Sequence, residues 1–83
     1  MDDPSNLLRA RLVELEAQEQ TLSRARRQLH RRIEFLRGTG LFEPGSVELL
    51  AELDDQERSL SVQRGALHRE IDRIRAQLAD AAD

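Results

Sequence analysis

Leucine and isoleucine recur along this chain at the spacing of a helical seam, and no other feature limits the fold so strongly. Leu8, Leu12, Leu15, Leu22, Leu29, Ile33 and Leu36 follow one another at intervals of 4, 3, 7, 7, 4 and 3. This is the a/d pattern of a coiled coil. A second seam runs through Leu50, Leu53, Leu60, Leu67, Ile71, Ile74 and Leu78. Between the two lie Gly38-Thr39-Gly40 and Pro44-Gly45-Ser46. Asp3 or Ser5 can cap the first helix, and Pro4 suits its first turn. Gly38 reads as its stop, and Ser46 as the N-cap of the second helix. The spacing predicts helix 1 over about 4–37, a loop over about 38–45 and helix 2 over about 46–80. Each helix is roughly 50 Å long at 1.5 Å per residue. The expected fold is all-α: one antiparallel two-helix coiled-coil hairpin, a single domain over residues 1–83.

The two helices are copies of one unit. Displacing the chain by 38 residues onto itself gives 13 identities over the 26 positions from 12 to 37. Heptad similarity accounts for the matched leucines. It does not account for Glu19/Glu57, Ser23/Ser61, Arg26/Arg64 and His30/His68, so duplication does.

Charge orients the pair. Residues 20–37 hold six Arg and one Glu, a net +5, whereas residues 43–57 hold six acids and no base, a net −6. Folding back at a short loop lays these segments side by side. With the apolar layers in register, Leu12 faces Ile71, Ile33 faces Leu50, Leu15 faces Leu67, Leu22 faces Leu60 and Leu29 faces Leu53. The same register sets Glu19 opposite Arg64 and Arg26 opposite Glu57.

Composition removes other classes. The chain has 83 residues and no Cys, Trp or Tyr, with Phe35 and Phe42 as its aromatics. Disulfides, thiolate metal sites and aromatic platforms for single strands are thereby excluded. No apolar run is long enough for a transmembrane helix or a secretory signal, so a cytoplasmic protein is expected. The net charge of −3 excludes a chain that is basic overall. All 13 basic residues are Arg. A GC-rich genome explains that, and so does planar, bidentate recognition.

The seam is polar at its centre, where Glu19, Arg26, Glu57 and Arg64 occupy a positions. Burying ions is costly unless they are paired, and apolar replacements are often no worse. One explanation is that two crossed ion pairs fix the antiparallel register. The protein is then a structural coiled-coil adaptor. A second explanation comes from the neighbours. Ser23, His30, Ser61 and His68 fall at e positions, with Glu34 and Asp72 one turn beyond the histidines. Each helix thus shows Glu, Ser, Arg, His and an acid at spacings of 4, 3, 4 and 4, on stripes expected to flank one open groove. An Arg fork takes O6 and N7 of guanine in a bidentate pair. A carboxylate accepts from the ring NH and amino group, and Ser and His bond phosphate or ribose.

These paired stripes resemble the repeated motif of the RsiG family of actinobacterial anti-sigma factors, E-x3-S-x2-R-x3-Q-x3-D. Glu19, Ser23, Arg26, His30 and Glu34 match it on the first helix. Glu57, Ser61, Arg64, His68 and Asp72 match it on the second. The spacing agrees twice. The residue types depart at His30 and His68, where the pattern has Gln, and at Glu34, where it has Asp. The resemblance implies that these ten residues bind cyclic di-GMP, as an intercalated pair, and that the loaded hairpin captures a sigma factor of the flagellar or sporulation type. With two motifs on one chain it implies a monomeric hairpin as the binding unit; relatives with one motif pair as homodimers, and the departure at Glu34 leaves a homodimer open here.

Other candidates are weaker. His30 and His68 are expected to lie apart, so no metal is expected. No nucleophile has both a base and an orienter at helical spacing, so no enzyme activity is expected. Arg24, Arg26, Arg27, Arg31 and Arg32 suggest nucleic acid, but the acidic segment opposite is expected to neutralise them. Phe35, Leu41, Phe42 and Val47 near the hairpin tip read either as a cluster closing the loop end or as a docking patch for the sigma factor.

Overall fold

A computed structural model describes residues 3–39 and 43–82. Two helices, α1 (Pro4–Thr39) and α2 (Ser46–Ala82), run antiparallel in a rod of 62 × 16 × 15 Å.

Local chemistry sets the ends. The Asp3 carboxylate accepts from the Ser5 amide at 3.0 Å, and its carbonyl accepts from Asn6 at 2.9 Å. Asp3 is therefore the cap, with Pro4 in the first turn, where its missing N–H costs nothing. Gly38 does not stop α1, which continues through Thr39. Gly45 is the glycine that uses its freedom, at φ 84°. Its carbonyl accepts from Leu49 at 3.0 Å, so Gly45 rather than Ser46 occupies the N-cap. Ser46 opens the helix proper and is buried. The second helix also runs two residues beyond its expected end.

The seam packs as two apolar clusters. Leu15, Ile71 and Ile74 are buried at the open end of the rod, with Leu8, Leu12, Leu67 and Leu78 against them. Leu29, Ile33 and Leu53 are buried toward the loop, with Leu36, Leu50 and Leu60 against them. Leu15 and its repeat equivalent Leu53 are each 1 % exposed. The four polar a positions separate these clusters along the seam.

Candidate functional site

Both crossed ion pairs form. Arg64 Nε donates to Glu19 Oε1 at 2.9 Å, and Arg26 Nε donates to Glu57 Oε1 at 2.9 Å. Heptad spacing places each Arg opposite its Glu, and duplication makes the second pair a copy of the first. The ions are not deeply buried. In both pairs the Arg side chain is 37 % exposed and the Glu 20 %. Their long side chains reach from the seam toward the e edge, so the heads keep water and the desolvation cost of true burial is reduced.

Each carboxylate gathers three donors on one oxygen. Glu19 Oε1 accepts from Ser23 Oγ at 2.7 Å and meets His68 Nε2 at 3.1 Å, in addition to Arg64. Glu57 Oε1 accepts from Ser61 Oγ at 3.0 Å and meets His30 Nε2 at 3.2 Å, in addition to Arg26. Arg64 Nε also lies 3.0 Å from Ser23 Oγ. Hydrogen bonds from Ser23, then Arg64, then His68 hold the Glu19 carboxyl down at about 2. Those from Arg26, Ser61 and His30 lower that of Glu57. Both carboxylates are ionised at neutral pH.

The clusters are composite. Each takes its Glu and Ser from one helix and its Arg and His from the other. The linear stripe Glu19-Ser23-Arg26-His30 is therefore divided between two clusters. They sit one heptad apart along one face, roughly 10 Å at 1.5 Å per residue. Since Nε makes every bond of Arg26 and Arg64 among the described residues, both Nη groups of each remain as donors. The Oε2 atoms of Glu19 and Glu57 likewise remain as acceptors.

Glu34 and Asp72 are exposed and bond to neither cluster. A groove also lies on the opposite face. There a cavity of about 650 Å³ is floored by Ala17, Leu22, Ala66 and Leu67 and rimmed by polar side chains including Glu14 and Glu70. Among the described residues, the acidic segment pairs with two arginines of α1: Arg26 meets Glu57 at 2.9 Å and Arg37 meets Asp54 at 3.6 Å. Arg24, Arg27, Arg31 and Arg32 are exposed and make no ion pair with a described residue. Phe35 and Val47 are 68 % and 65 % exposed. Leu41 and Phe42 lie outside the described residues.

Among the described residues, no group of three or more His, Asp or Glu side chains could hold a metal ion, and no helix is long and apolar enough to cross a membrane. No family model, curated protein or solved structure matches the chain.

Proposed function

We propose that this protein is an anti-sigma factor of the RsiG type, found in the actinobacterial cytoplasm, that binds cyclic di-GMP across its two Glu–Ser–Arg–His clusters. So loaded, it sequesters a flagellar or sporulation-type sigma factor from RNA polymerase. It is a binding protein, not an enzyme, and its ligand-binding unit is the single hairpin. One observation carries the reading: both arginines are anchored through Nε, which leaves the two Nη groups of each as a fork. A fork of that shape fits O6 and N7 of guanine, and the open Oε2 atoms suit the base's ring NH and amino group. Two equivalent clusters on one face suit a ligand that itself has two equivalent halves. Glu34 and Asp72, lying outside the clusters, then complete the site only by contacting the ligand. The exposed Phe35 and Val47 suit contact with the sigma factor.

A specific observation favours a second reading, that of a structural adaptor. Among the described residues, no buried side-chain nitrogen or oxygen lacks a hydrogen-bond partner. The clusters are thus complete as a device for fixing register. Calorimetric titration with cyclic di-GMP, with GTP and cyclic di-AMP as controls, separates the two. Saturable, guanine-specific heat supports the sensor. No binding, with purified sigma factor present as well as absent, overturns it.

A further inference from the structure

Over the loop half of the rod, the outer edges of the two helices carry opposite charge. The outer edge of α1 presents Arg24, Arg27 and Arg31, all exposed and without an ion pair or hydrogen bond to another described residue. The outer edge of α2 presents Glu48, Glu52 and Asp55 over the same half of the rod. Glu48 and Glu52 are likewise unpaired among the described residues, and Asp55 meets Arg58 of its own helix at 3.1 Å.

Farther from the loop each edge carries one exposed valine. Val13 is 68 % exposed and Val62 is 70 % exposed. One turn beyond Val62 lies Gly65. A glycine inside a helix is unfavourable, and nothing in the hairpin requires this one. A Cβ added there would meet only Arg69 Nη1 at 3.6 Å, an ordinary contact.

We propose that the outer edge of α1 docks, antiparallel, on the outer edge of α2 of a second copy of this chain. In a single register Arg24 faces Asp55 and Arg31 faces Glu48 of the second copy, with Arg27 between those levels. The same register sets Ala17 against Val62 of the second copy and gives Val13 the space above its Gly65. A shift of one heptad one way puts Asp55 on Ala17, and the other way puts Arg24 on Val62. Like edges do not pair, since α1 on α1 brings arginine onto arginine and α2 on α2 brings acid onto acid. The contact is heterologous, so every added hairpin leaves one edge of each kind open and association continues beyond a pair. It covers neither the polar face nor the clusters, and it stands independently of the ligand reading. Exposed ion pairs dominate it, so it is weak and screened by salt.

Analytical ultracentrifugation of the full chain at about 0.5 mM tests this, in a range where weak surface contacts populate. At low salt the weight-average mass rises above 9.5 kDa, and at high salt it returns to that value. The double variant Arg24→Glu/Arg31→Glu stays monomeric, as does Glu48→Arg/Asp55→Arg, while mixing the two restores association. Gly65→Gln weakens association while leaving helicity intact or increased, so loss of folding is not the cause. A wild-type mass of 9.5 kDa at low salt overturns the proposal. Association untouched by either double variant, or a mixture that stays monomeric, also overturns it and points to a different surface or partner.

Discussion

Arg64 reaches Glu19 through its Nε, at 2.9 Å, and not through the two-pronged end of the guanidinium. A carboxylate usually attracts the fork itself, giving two parallel bonds. Here the side-on bond orients the arginine and keeps its prongs available. Arg26 does the same on Glu57.

Arg26→Ala and Arg64→Ala should each lower affinity for cyclic di-GMP at least tenfold, about 1.4 kcal/mol. Lysine should not rescue either position, because a point charge cannot supply two coplanar donors. Calorimetry reads this directly, and affinities that match wild type would remove the arginines from the site.

The double variant Arg26→Leu/Glu57→Leu should remain a hairpin with an unchanged or raised Tm, since apolar residues can replace an ion pair without loss. Its nucleotide binding should nevertheless fail at that cluster. Thermal unfolding and calorimetry on the same sample test both halves. Retained binding would reduce the pair to a register device.

Glu19 has a folded-state pKa of about 2 against an ordinary value of 4.5. Glu57 is shifted in the same direction. The unfolded chain therefore binds more protons across that interval, and stability rises with pH through it. The contribution is complete above about pH 4.5 and fades as pH falls toward 2. Tm followed from about pH 6 to pH 2 should show this decline, and Glu19→Gln should flatten it. An equally steep decline in the variant would assign the effect to other carboxylates.

Leu15→Ala and Leu53→Ala should each cost about 2–5 kcal/mol, the range for a large side chain lost from a packed core. The two are equivalent in the repeat and equally buried, so their penalties should agree closely. Circular dichroism during urea unfolding measures this. Unequal penalties would show that the two apolar clusters are not energetic copies.

Gly65→Ala should stabilise the hairpin by about 1 kcal/mol, since the added methyl meets only ordinary contact and helix propensity improves. A lower Tm would mean that the glycine has a role within the fold.

The seam, the repeat and the antiparallel register were all legible because they depend on periods and signs that a sequence displays directly. Glu19 against Arg64 and Arg26 against Glu57 follow from heptad position alone. The division of each motif between two clusters was less visible. It depends on Ser and His side chains leaning toward a carboxylate on a particular helix, which spacing does not specify. The reach of the ion pairs toward water was missed for a related reason, since an a position fixes Cα and not the end of a long side chain. Arg24, Arg27 and Arg31 make no ion pair across the hairpin with a described residue, because their heptad positions lie on the outer side of α1. Gly38 misled because glycine permits a helix end without imposing one.

Every cluster residue lies on α1 or α2, and each cluster needs one helix of each kind. What the loop supplies to them is effective concentration: it holds each helix at the millimolar-scale level that a short tether gives. Severing the chain between the helices would leave the chemistry of both clusters intact. It would also convert a site indifferent to dilution into one that assembles only above a threshold set by how tightly the separated halves associate.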